Sequence, residues 1–146
     1  MDPRDFGAAI DDERIVAAIR AAEARGRGEI RVHVTREAVG DAETAAVEVF
    51  ERLRMVATAE RNGVLIYVAP RSHTFAVIGD RGVHEHCPEG FWREVRDAMR
   101  EDFRAGRFTE ALVHGVERVG EVLGRAFPRE AGRDDTNELP DAVSRD

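Results

Sequence analysis

The sequence predicts an α/β fold, a three-layer α/β/α sandwich with a small mixed central sheet. Three observations predict it. In residues 29–35, Ile30, Val32 and Val34 alternate with Glu29, Arg31, His33 and Thr35, which is the period of a strand with one polar face. Residues 63–69, Gly-Val-Leu-Ile-Tyr-Val-Ala, form an unbroken apolar run that suits a strand covered on both sides. Around these runs lie segments whose apolar residues recur at helical spacing, in the order helix, strand, helix, strand, strand, helix, helix. A helix between the first two strands makes them parallel through a right-handed crossover.

Each element carries its own signals. Asp11 or Asp12 caps a first helix with Ile15, Ile19 and Ala22 on one stripe, ending at Gly26 or Gly28. The polar-faced strand follows. Asp41 then caps a second helix whose stripe is Ala46, Val49, Phe50, Leu53 and Val56. After the apolar central strand, Pro70-Arg71-Ser72-His73 has turn composition, so residues 74–79 return as the second arm of an antiparallel hairpin. A third helix begins near Gly90, presents Phe91, Trp92, Val95, Met99 and Phe103, and stops at Ala105-Gly106. The fourth takes Thr109 as its cap and carries Leu112, Val116, Val119, Leu123 and Phe127, with Gly120 and Gly124 permitting close approach to a neighbour. Residues 1–10 read as an N-terminal arm, 11–127 as the domain, and 128–146 as a polar, acidic tail.

Composition narrows the function classes. With 146 residues, 42% hydrophobic and 35% charged, the chain fits one self-sufficient domain. Its net charge of -7 argues against nucleic-acid binding, which draws its affinity from cationic groups on phosphates. All 22 basic residues are arginine, and the one cysteine, Cys87, allows no internal disulfide. No apolar window long enough to span a membrane is present, and the first residues lack a basic segment followed by an apolar run. The expectation is a cytoplasmic monomer.

The predicted topology also gives an address for chemistry. Each helix runs back across the sheet, so the Gly26–Gly28 turn, the loop of residues 58–62 and the loop of residues 79–89 gather at one edge. Asp11, Asp12, Arg36, Glu37 and the residue 70–73 turn fall at the other.

Several runs in this order resemble the TPM domain family: Gly28-Glu29-Ile30 after the first helix, Arg61-Asn62-Gly63-Val64-Leu65-Ile66, Gly79-Asp80-Arg81-Gly82-Val83, an aromatic helix, and Phe103-Arg104-Ala105-Gly106. Together they cover about residues 12–127. Phe91-Trp92 and the tail run Asp134-Asp135-Thr136-Asn137-Glu138-Leu139-Pro140 look like the stand-alone soluble members. The resemblance implies an αβα sandwich, divalent-cation binding by acidic loop residues, and phosphatase or nucleotide-hydrolysing activity. The chain departs from the membrane-linked members at Glu29 and in His84-Glu85-His86-Cys87.

On that footing Asp80, Glu85, Glu89 and Glu29 are the expected ligands of Ca²⁺ or Mg²⁺, since hard cations take several oxygen donors. The same residues also read as solvated charge, with Glu89 favouring a helix N-terminus. Arg61 and Asp80 are the expected catalytic pair, with Arg61 or Arg81 on phosphoryl oxygens and a carboxylate orienting water; Arg61-Asn62 equally reads as a turn into the central strand. No Walker A motif, nucleophile elbow or phosphatase cysteine signature is present. His84, His86 and Cys87 offer zinc-type donors without a second ligand cluster. Asp134, Asp135, Asn137 and Glu138 faintly follow calcium-loop spacing but lack its glycine, and read better as a solvated or docking tail. His33, His73 and His114 are expected to be structural or solvated. The reading is a divalent-cation-binding domain acting on a phosphate-containing small molecule. The alternative is a non-catalytic protein-binding or assembly module with a structural cation site.

Overall fold

Alternation and apolar continuity do build the sheet. The computed structural model describes residues 6, 9–57, 61–128 and 143–146. Its strands are β1 (Glu29–Val34), β2 (Gly63–Ala69), β3 (Thr74–Gly79) and a short β4 (Ser144–Arg145), in the order β3-β2-β1-β4. β1 and β2 are parallel, with Glu29 opposite Gly63 and His33 opposite Tyr67. β2 and β3 are antiparallel, Val64 facing Gly79 and Ala69 facing Thr74. Every residue of β2 is buried, as an unbroken apolar run between two layers requires. β4 was not expected: the end of the polar tail lies parallel to β1, Ser144 against His33 and Arg145 against Val34.

The described helices are α1 (Asp12–Ala24), α2 (Ala42–Arg52), α3 (Arg81–His84), α4 (Phe91–Arg104) and α5 (Phe108–Ala126), with short 3-10 turns at Met55–Ala57 and Pro70–Ser72. The expected three layers are present. On one face Ile30, Val32, Val34, Val64, Ile66, Val68 and Val77 pack beneath α1, α4 and α5, with Ile15, Ile19, Met99 and Leu112 in the same cluster. On the other, Leu65, Tyr67, Ala69 and Ala76 meet Ala46, Val49 and Phe50 of α2. Ile15 and Ile19 are wholly withdrawn from water, each contributing on the order of 2 kcal/mol.

Three boundaries differ from expectation for local reasons. α1 ends at Ala24 with Arg25 as its right-handed C-cap, because Gly26 is drawn into a bridge with Pro128. α5 begins at Phe108 after Arg107, not after a Thr109 cap: the Thr109 hydroxyl instead accepts the Asp11 N–H at 3.0 Å. α2 ends at Arg52 and a 3-10 turn, Met55–Ala57, follows, so Val56 lies beyond the helix whose stripe it was expected to join. Asp11 caps α1 and Asp41 caps α2, each accepting a first-turn N–H. The tail residues Asp134, Asp135, Asn137 and Glu138 lie outside the described residues.

Candidate functional site

The N-terminal ends of β1 and β2 and the C-terminal end of β3 share one edge, and backbone pairing ties their loops together. The Glu29 N–H donates to the Asn62 carbonyl at 3.3 Å, the Asp80 N–H to the Gly63 carbonyl at 2.9 Å, and the Gly82 N–H to the Arg61 carbonyl at 3.0 Å. Asn62 reaches across to Arg27, its Nδ2 donating to that carbonyl at 3.0 Å. Glu29, the first residue of β1, and Asp80, just past the end of β3, thus flank Gly63 on either side of β2. The convergence of these loops at one edge was readable from the topology.

The side chains at this edge form a compact arrangement. Asp80 is buried and accepts a forked pair from Arg61, Nε to Oδ2 at 2.7 Å and Nη2 to Oδ1 at 2.9 Å. Its Oδ1 also accepts the Arg81 N–H at 2.8 Å, capping α3. The hydrogen bonds to Asp80 raise the Arg61 pKa above its ordinary value. Arg61 adopts a left-handed backbone, φ 51°, a conformation costly for a residue with a Cβ and found disproportionately at sites under functional constraint. Glu29 is 2% exposed, an unusual position for a carboxylate.

The other expected ligands are elsewhere. Glu85 is the exposed C-cap of α3, and Glu89 is exposed one residue before the Gly90 cap of α4. Among the described residues no group of three or more His, Cys, Asp or Glu side chains is gathered to hold a metal ion. The zinc-type donors turn apart as well. His84 Nδ1 accepts the Trp92 indole N–H at 3.2 Å, His86 stacks on Phe127 at 5.3 Å, and the Cys87 thiol donates to the Val83 carbonyl at 3.2 Å. Burial pushes the Cys87 pKa up, so it is a poor thiolate donor.

Two histidines have partners that no sequence pattern announced. His114 Nδ1 lies 2.9 Å from the buried Asp102, which also takes Arg107 Nε at 3.0 Å. His33 is 1% exposed and lies against Ser144 and Asp146. His33's position on the polar face of β1 was the available signal, but its partners are more than a hundred residues away.

A cavity of about 450 Å³ opens at the other edge of the sheet, lined by Phe6, Phe75, Phe103 and Phe108 with Arg100 and Arg104 beside them. It contains none of the expected site residues. Among the described residues no helix is long and apolar enough to cross a membrane.

Comparison with known proteins agrees with this architecture. The NMR structure of the BA42 protein from the psychrophilic bacterium Bizionia argentinensis superimposes with a TM-score of 0.83 at 39% identity, covering 94% of this chain and 95% of that one. The N-terminal domain of a protein from P. gingivalis matches with a TM-score of 0.58 at 24% identity, over 76% of this chain and 72% of the other. The N-terminal domain of the cg2496 protein from Corynebacterium glutamicum gives 0.59 at 18% identity, over 76% and 70%. These last two share the fold. The search of curated proteins gives no match. The TPM domain matches residues 4–122, and the chain belongs to the TPM domain family.

Proposed function

We propose that this TPM domain acts on phosphate esters at the Arg61–Asp80 edge, as a divalent-cation-dependent phosphatase or nucleotide hydrolase. The observation that carries the reading is the Arg61–Asp80 fork. A guanidinium that matches two carboxylate oxygens also matches two phosphoryl oxygens, and the family name includes the word phosphatase.

The donor set does not make a closed Ca²⁺ cage, which needs about six to eight oxygens. It fits a different mode of binding. Mg²⁺ is commonly held by one or two carboxylates together with the substrate's own phosphates, and Asp80, with Glu29 across Gly63, provides that number. A cation so bound would neutralise phosphoryl charge. The chain's part is then positional: Arg61 leaves Asp80 for the phosphate, Asp80 is freed as an oxygen donor, and Asn62, fixed on the Arg27 carbonyl, holds the Arg61 turn.

One observation favours a second reading. Both oxygens of Asp80 are engaged by Arg61 and one also by the Arg81 N–H, so the pair serves equally as a clasp between two loops in a non-catalytic protein-binding or assembly module. Release of phosphate from p-nitrophenyl phosphate and ATP, with Mg²⁺, Ca²⁺ or chelator, separates the two. The enzyme reading expects cation-dependent turnover that Asp80→Asn and Arg61→Lys each reduce at least about tenfold, a loss of about 1.4 kcal/mol of transition-state stabilisation, while the circular dichroism stays native. A parent protein that turns over neither compound under any of these conditions assigns the edge to the clasp.

A further inference from the structure

β1 presents Glu29, Arg31, His33 and Thr35 on one face, and α2 makes its main contacts with β3 and β2. His33 is nevertheless among the most buried side chains in the protein. Its ring stacks on Tyr67 at 5.9 Å with an interplanar angle of 8°. The end of the chain covers it: Ser144 Oγ lies 2.9 Å from Nδ1 and Asp146 Oδ2 lies 3.4 Å from Nε2.

The Asp146 carboxylate is received as a ligand would be. Oδ2 accepts the Thr35 hydroxyl at 2.7 Å, Oδ1 accepts the Arg36 N–H at 2.9 Å, and the Arg52 guanidinium stands 4.0 Å away. Two residues before His33 on the same face, Arg31 holds its Nε buried with no hydrogen-bond partner, an unmet donor of the kind that marks an incomplete polar site. Asp146 thus answers Thr35, Arg36 and His33, while the Arg31 Nε two residues along the strand from His33 is left without a partner. A phosphate group carries more charge and one more oxygen, and arginine recognises it through paired donors. The position is also where α/β sheets take ligands, outside the carboxyl end of a parallel strand.

We propose that the Arg31–His33–Thr35 face of β1 with the Arg36 N–H is a phosphate-binding site, which the Asp146 side chain occupies in cis as an autoinhibitory carboxylate. The ligand class is a small phosphate monoester or inorganic phosphate. The site lies at the opposite end of β1 from Asp80 and does not depend on chemistry there. Asp12 holds the covering segment down, accepting a forked pair from Arg145 at 2.8 Å on each oxygen.

The test is phosphate titration of the full chain followed by amide NMR, at constant ionic strength balanced with chloride, for the parent, Asp146→Ala, and Asp146→Ala combined with Arg31→Ala. When a competing internal group fills a site, apparent affinity falls by the fraction of molecules in which the site is free. Asp146→Ala is expected to bind inorganic phosphate about tenfold or more tightly than the parent, with saturable shifts at Thr35 and Arg36, and Arg31→Ala is expected to abolish that gain. Glycerol 3-phosphate in place of inorganic phosphate tells a monoester site from one for the free ion; either result supports the site. Should Asp146→Ala not fold, Asp146→Asn keeps the side-chain shape, and it too must bind more tightly than the parent. Equal affinity in parent and variant, or shifts that chloride alone reproduces, overturns the proposal.

Discussion

Arg61 holds Asp80 through two parallel hydrogen bonds of 2.7 and 2.9 Å, from a residue whose own backbone is left-handed at φ 51°. The pair joins the turn before β2 to the helix after β3, residues 19 positions apart. It also sets the Asp80 carboxylate where it caps α3. One side chain therefore serves a cap, a loop clasp and, in the proposed function, a cation ligand.

The cap and the clasp separate by substitution. Asn is as good an N-cap as Asp, whereas Ala is not, and loss of a cap costs about 1 kcal/mol. Asp80→Ala is therefore expected to be less stable than Asp80→Asn by about that amount, read as the difference in urea unfolding free energy. Equal stability of the two variants would mean that the cap at α3 contributes nothing.

Gly120 marks a close approach of α1 and α5. A Cβ built there would lie 2.6 Å from the Ala22 Cβ and 3.3 Å from its Cα, and two packed helices have little room to part. Overpacking of this kind costs about 1–3 kcal/mol, so Gly120→Ala should lower the urea midpoint with an unchanged slope. A midpoint raised above that of the parent, reflecting the roughly 1 kcal/mol that alanine gains over glycine within a helix, contradicts the packing described for these helices.

Stability should depend on pH through His33. Burial pushes its pKa below the ordinary 6.5, against the opposing pull of Asp146, with Arg52 and Arg31 adding to the depression. Tyr67 stacks on the same ring. The folded state thus prefers the neutral imidazole. His33's contribution is complete above pH 6.5 and is lost as pH falls from there through the folded-state pKa, because the unfolded chain takes up the proton first. His33→Gln should flatten the fall in melting temperature across that window. A parent protein with no slope there, or a variant with the same slope, counts against the buried environment assigned to His33.

Much of this could be read in the sequence, and the limits have physical causes. The alternation of Ile30, Val32 and Val34 and the continuous run of residues 63–69 mark the apolar faces, and burial follows directly in β2; in β1 the polar-face residues Glu29 and His33 are buried as well, which alternation alone does not announce. The topology brought Glu29, Asn62, Arg61 and Asp80 to one edge. It could not show that Arg61 takes both oxygens of Asp80, since no periodicity links residues in two separate loops. β4 escaped notice because a two-residue strand in a polar segment has no pattern of its own, and it was β4 that gave His33 its partners. Thr109 carried a capping signal, but the Asp11 N–H uses its hydroxyl.

In the proposed function the Arg61–Asp80 edge receives a cation and a phosphate group together. Amide NMR of the full chain, titrated with Mg²⁺ alone, inorganic phosphate alone and both, tests it most directly. The two together are expected to produce saturable shifts at Arg61, Asn62, Asp80 and Arg81, larger than the sum of the separate titrations, and Asp80→Asn is expected to remove them. Shifts that merely add, or that leave these four amides unmoved, would contradict it.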